Sequence, residues 1–233
     1  SYVNSIDDEF IQLLFTIFSK SREFRVCNHT CLKDKSYPKK PFITSTLQQS
    51  AQNELGFSVG MTMDIAQKLY ESGHITYMRT DSTFISEELQ TQLNRKENME
   101  YGEGYYQKSK EKKVKRAQEA HEAIRPTHLF QYPPLDGIQK KLYDFILKRT
   151  ITSHMKPAEY DVYKIKLCNS LIEDTGYFTA KYRQLQYPGF MIYTKKDHVI
   201  EDKPNFKETY KLLTCYSSEK EEVKPAYYNE SMI

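Results

Sequence analysis

From Tyr160 the hydrophobic period of this chain changes to two, and that change limits the fold more tightly than any bulk property. Between 45 and 155 apolar residues recur at the i, i+3, i+4, i+7 spacing that turns one face of a helix toward a core. Beyond Tyr160 they alternate. Tyr163, Ile165 and Leu167 are separated by Lys164 and Lys166, which in an extended chain sends the two sets to opposite faces. Tyr177 to Arg183, Phe190 to Thr194 and Lys211 to Cys215 are further strand candidates, with Glu173-Asp174-Thr175-Gly176 and Tyr187-Pro188-Gly189 as turns. At the other end, Asp7 to Ser21 reads as an amphipathic helix with Phe10, Leu13, Leu14, Ile17 and Phe18 on one face. Glu23 to Cys27 reads as a strand, and the basic stretch Lys33 to Lys40 as a connector that ends before Pro41. A helical middle between strand-bearing ends implies an α+β chain of two domains. A mostly helical domain, 41–157, is inserted in a discontinuous β-rich domain made of 1–40 and 158–233.

Within the middle, Ser45 to Leu55 is predicted as a helix, with Ser45 and Gln48 as a capping box, Leu47, Ala51 and Leu55 inward, and Gly56 as its stop. Thr62 to Ser72 follows, with Met63, Ala66, Leu69 and Tyr70 inward and Gly73 after it. Ile75 to Arg79 then has the β-branched and aromatic content of a strand. Helix, short turn, helix, strand is the outline of a winged-helix unit. Ser86 to Leu93 and Ala117 to Ile124 are predicted helical, with Asn94 to Gln107 between them as loop. A long helix, Leu135 to Met155, turns Leu135, Ile138, Leu142, Ile146 and Ile151 inward. Lys108 to Arg116 holds six basic residues and one Glu. That run suits a nucleic-acid backbone and a solvated loop equally well.

The stretch His74-Ile75-Thr76-Tyr77-Met78-Arg79-Thr80-Asp81-Ser82 carries the chemistry. Residues two apart in a strand share a face, so Tyr77, Arg79 and Asp81 would point one way. A tyrosine ordinarily ionises only near pH ~10. A fixed guanidinium makes the phenolate easier to form and clamps a phosphate through two parallel hydrogen bonds. Tyrosine plus arginine is therefore a workable minimum for attack on a phosphodiester. On the helix predicted for 117–124, His121 and Arg125 lie four apart and share a face. A histidine there can donate to a phosphate oxygen, most strongly when protonated.

Composition removes several classes. At 233 residues the chain is long enough for a real core. Its net charge of +3 does not by itself announce a nucleic-acid binder. Mean hydropathy is −0.73 and no apolar run approaches the length of a membrane span or the pattern of a signal peptide. Four scattered cysteines imply free thiols in a reducing compartment. Cys27, His29 and Cys31 lack the second ligand pair that a structural zinc site needs. No G-x-x-x-x-G-K-[ST] loop occurs, so nothing points to ATP. The first residue is Ser1, so a piece of a longer chain is expected.

Ile75-Thr76-Tyr77-Met78-Arg79-Thr80-Asp81-Ser82 resembles the active-site tyrosine motif of type IA DNA topoisomerases, in the bacterial topoisomerase I branch. Pro41-Phe42-Ile43-Thr44-Ser45-Thr46-Leu47-Gln48-Gln49 resembles that family's upstream block, and Ala117-Gln118-Glu119-Ala120-His121-Glu122-Ala123-Ile124-Arg125-Pro126 its downstream one. The likeness is close from Pro41 to Arg125 and weaker beyond, with Lys224-Pro225-Ala226-Tyr227-Tyr228 resembling a later segment. The resemblance implies a helical tyrosine domain, winged-helix-like (CAP-like), carried by a β-rich arch. It makes Tyr77 the nucleophile that cleaves single-stranded or underwound DNA through a 5′-phosphotyrosine and reseals it, relaxing negative supercoils without ATP. Arg79 would bind the scissile phosphate, His121 support it, and Asp81 orient its neighbours. Arg125 as a DNA contact rests on helix geometry. The family's Mg²⁺ site lies in a TOPRIM domain whose D-x-D hallmark does not occur in this sequence, so metal and general acid would come from the rest of the same polypeptide. The expected setting is the cytoplasm, with its DNA and no membrane. Two other classes stay open: a non-catalytic single-strand DNA-binding module using aromatic stacking, and a structural or protein-interaction domain.

Overall fold

The computed structural model describes residues 8–108, 122–172, 176–194, 204–216 and 218. These residues mix helix and strand and fall into two compact units.

The β-rich unit holds residues 8–34, 159–172, 176–187 and 204–216. Strands β1 (Glu23–Ser36), β2 (Ala158–Cys168), β3 (Phe178–Tyr187) and β4 (Thr209–Lys211) form one sheet in the order β3-β2-β1-β4. Strands β2 and β3 pair antiparallel, with Tyr163 opposite Tyr182 and Lys164 opposite Lys181. Helix α1 (Asp8–Lys20) buries Phe18 against Phe24 and Phe178, ring centroids 5.6–5.8 Å apart. Phe10 and Leu13, predicted inward, stay half exposed. β1 runs nine residues past its predicted end at Cys27. Ion pairs rather than apolar alternation support that extension: Lys33 with Asp161 at 2.5 Å, and Asp34 with Arg183 at 3.1 Å. Cys27 is disulfide-bonded to Cys168, so the expected free thiols are seen at Cys31 and Cys215 alone. Of the predicted strand Lys211 to Cys215, only Lys211 is in a strand, and residues 212–215 have no regular structure.

The helical unit holds residues 35–108, 122–158 and 188–194. Helices α2 (Thr44–Leu55), α3 (Val59–Glu71) and α5 (Gly137–Thr152) share one core of Phe42, Leu47, Ala51, Ile65, Leu69, Leu142, Tyr143 and Ile146. The predicted Ser45–Gln48 box is replaced by a neighbour: the Ile43 N–H donates to Thr46 Oγ1 at 3.0 Å. α3 starts three residues early because Ser58 caps it, accepting from the Met61 N–H at 3.2 Å. Tyr70 is 40% exposed rather than inward, and Ile138 on α5 is also exposed. α4 (Glu87–Tyr101) continues through most of the predicted loop, burying Leu89, Leu93 and Glu97. Its two asparagines pair with each other four residues apart, Asn98 to Asn94 at 3.1 Å, and so do not break it. Phe190 to Thr194, predicted as strand, lies in a 3-10 turn at Gly189–Tyr193. Residues 122–124, predicted helical, are extended and pair with other segments. The remainder of that predicted helix lies outside the described residues.

Candidate active site

The stretch 74–82 is irregular chain held by its neighbours, with bends at His74, Met78 and Arg79, and not the regular strand that composition predicts for Ile75 to Arg79. Gly73, at φ +72°, turns the chain out of α3, with His74 N–H closing onto Leu69 O at 2.8 Å. Ile75 makes a single bridge to Pro126, and the Thr76 N–H donates to Arg125 O at 2.9 Å. Beyond that point side chains, not a ladder, fix the path. The Thr76 hydroxyl donates to Ala123 O at 2.7 Å and accepts from the Arg125 N–H at 3.0 Å. The Thr44 hydroxyl lies 2.8 Å from Met78 O and accepts from the Thr80 N–H at 2.8 Å. Ile124 N–H donates to Phe42 O at 2.9 Å. Three sequence blocks separated by tens of residues thus meet through backbone and threonine hydroxyls.

Burial alternates although no ladder forms. Met78 is 1% and Thr80 9% exposed, whereas Tyr77, Arg79 and Asp81 face solvent. The Tyr77 ring is 43% exposed and stands edge-on to Tyr70, centroids 5.2 Å apart. Tyr70 therefore supports the Tyr77 ring from the outer face of α3, which is why the helical pattern misplaced it. Arg79 lines a recess at the start of α2 with Thr44, Ser45, Gln48 and Asp81. The unpaired N–H groups at a helix start favour anions, and the Arg79 cation adds to that field. Asp81 is a carboxylate in the same recess and opposes it.

Arg125 is placed differently from its helical expectation, because 122–125 are extended. Its Nε donates to Glu122 Oε2 at 3.0 Å, Nη1 donates to Pro126 O at 2.9 Å, and Nη2 also bonds Glu122. Glu122 Oε1 in turn accepts from the Ser86 N–H at 3.0 Å. The pair braces two chain segments. His121 lies outside the described residues, as does most of the basic run after Lys108. Among the described residues no three His, Cys, Asp or Glu side chains converge into a group that could hold a metal, and no helix is long and apolar enough to cross a membrane.

Thr44, Thr76, Tyr70 and Glu122 are site-forming residues that spacing did not reveal. Threonine beside a helix start reads as a cap, and its long-range partners carry no local signal.

Residues 5–233 match a family model described as DNA topoisomerase. A mimivirus protein named DNA topoisomerase 1 type prokaryotic is 46% identical over 168 residues, 66% of this chain and 19% of that protein. DNA topoisomerase 1 of Thermotoga maritima is 46% identical over 142 residues, 54% of this chain and 22% of that protein. The chain thus spans about a fifth of the length of these relatives. A solved structure of full-length topoisomerase I from Thermotoga maritima superposes with a TM-score of 0.71 at 33% identity, covering 91% of this chain and 36% of that one.

Proposed function

This chain belongs to the bacterial type IA DNA topoisomerase I family, and from that premise we propose that it carries the cleavage nucleophile of such an enzyme. Tyr77 attacks a phosphodiester of single-stranded DNA and keeps the 5′-phosphate, releasing a 3′-hydroxyl. Resealing reverses the exchange, one phosphoester for another, so no ATP is consumed. Arg79 binds the scissile phosphate and stabilises the charge that develops on it. Asp81 orients Arg79, and His121 donates to the phosphate. Arg125, with its donors already engaged by Glu122 and Pro126, braces the site. The observation that carries this reading is that Tyr77 and Arg79 are both exposed while the residue between them, Met78, is buried.

α2, α3 and the segment after them form a winged-helix-like unit that faces single-stranded or underwound DNA, and the β-rich unit corresponds to the arch of the family. Among the described residues no three His, Cys, Asp or Glu side chains come together as a Mg²⁺ site would require. Mg²⁺ would act from a TOPRIM segment elsewhere in the polypeptide.

The test is adduct trapping on an end-labelled oligonucleotide with the complete enzyme, followed by denaturation. Tyr77→Phe should abolish the covalent adduct and leave noncovalent binding within about twofold. Arg79→Lys keeps the charge but loses the two-pronged contact, and should slow adduct formation by roughly a hundredfold. An adduct that persists in Tyr77→Phe overturns the assignment.

A further inference from the structure

We propose that Thr44 is a positioning residue for cleavage: its hydroxyl fixes the backbone on both sides of Arg79 and so sets where the guanidinium meets the phosphate. This rests on the role of Tyr77 and Arg79 argued above. The Thr44 hydroxyl donates toward Met78 O at 2.8 Å, with Thr80 O at 3.0 Å, and accepts from the Thr80 N–H at 2.8 Å. The Thr44 backbone N–H donates to Thr80 O at 2.9 Å. One side chain therefore grips the residue before Arg79 and the residue after it. Neither lies in a helix or a strand, so no repeating ladder would hold Arg79 if that grip were lost.

A helix-capping role does not account for the contacts. The N-cap of α2 is Ile43, whose N–H is taken by Thr46, and the Thr44 hydroxyl bonds residues 34 and 36 positions away. The grip is one of a pair. The Thr76 hydroxyl holds the other end of the segment to Ala123 and Arg125. Tyr77-Met78-Arg79 is thus suspended between two threonine hydroxyls, with Met78 buried beneath it as the third anchor. Nucleophile and phosphate clamp are two residues apart on that span, so its path sets their separation. Misplacement of a reacting group by about 1 Å can cost on the order of a hundredfold in rate.

Thr44→Val keeps the shape and removes the hydroxyl; Thr44→Ser keeps the hydroxyl; Thr44→Cys keeps a weak donor. In the complete enzyme, single-turnover adduct formation on a labelled oligonucleotide is measured across DNA concentration, beside thermal melting. Thr44→Val should lower the saturating rate by about ten- to a hundredfold and leave the half-saturating concentration within about twofold. Thr44→Ser should restore the rate to within about threefold of wild type. Thr44→Cys should fall between, and it carries the test if the valine variant does not fold. A merely structural role would move melting without this split and without rescue by serine. Wild-type rates in Thr44→Val, or equal loss in the serine and valine variants, overturn the proposal while Tyr77→Phe remains inactive. An adduct in Tyr77→Phe overturns it together with the reading on which it rests.

Discussion

Glu97 has no solvent exposure, and neither of its carboxylate oxygens has a hydrogen-bond partner among the described residues. Burial, and then the nearby Glu100 charge, push its carboxyl up from the ordinary 4.5 to about 9. The sign of the linkage follows. Between about pH 4.5 and 9 the unfolded chain has released a proton that the folded chain retains, so folding loses stability as pH rises through that window. Glu97→Gln cannot ionise. Urea midpoints measured from pH 5 to 9 should converge near pH 5 and separate above pH 7, with the variant more stable by about 1–3 kcal/mol at pH 8. Parallel profiles would show that Glu97 is not held neutral. Single residues also mark the limit of the sequence reading. Tyr77 and Arg79 stood out through the string Ile75 to Ser82 and its resemblance to a family motif, not through a two-residue spacing alone. Thr44 and Thr76 did not stand out, because each acts on backbone more than thirty positions away.

At the scale of elements, the strong periodic helices were read correctly in place and kind, and two of the misreadings arise where contacts distant in sequence override local propensity. Glu122-Ala123-Ile124 has helix-forming residues, yet Phe42, Thr76 and Phe84 supply backbone partners that favour an extended path. Phe190 to Tyr193 has strand-forming residues, yet Gly189 imposes a turn. Its φ is +50°, and an added Cβ would stand 2.4 Å from the carbonyl oxygens of both Lys156 and Pro157. The turn is tied down by Phe190 N–H donating to Lys156 O at 2.9 Å. Gly189→Ala should therefore destabilise the chain by about 2 kcal/mol or more. Gly60, within α3 and with nothing within 4 Å of an added Cβ, makes the control. Gly60→Ala should be neutral or stabilising by up to about 1 kcal/mol. Equal effects of the two alanines in a denaturant titration would contradict the close approach at Gly189.

Over the whole molecule, a net charge of +3 gives little general attraction for a polyanion, so DNA affinity must come from local contacts. Binding of a single-stranded oligonucleotide, followed by fluorescence anisotropy, should be weak. It should fall with salt by about 0.7 in log affinity per decade for each phosphate contacted. A flat salt response, or preference for duplex, would count against a DNA-facing surface. These 233 residues alone should not relax supercoiled DNA, with or without Mg²⁺, because the function proposed above leaves the metal half to another part of the polypeptide. Robust relaxation by the isolated chain would show that division of labour to be wrong. The central claim, that Tyr77 is the nucleophile, has a more direct test in mass spectrometry of the trapped complex after nuclease and trypsin digestion. Trypsin releases Leu69 to Arg79, a peptide that holds both Tyr77 and its ring neighbour Tyr70. Fragment ions should carry the residual 5′-nucleotide phosphate on Tyr77. The same mass on Tyr70, or on any other peptide, would contradict the account.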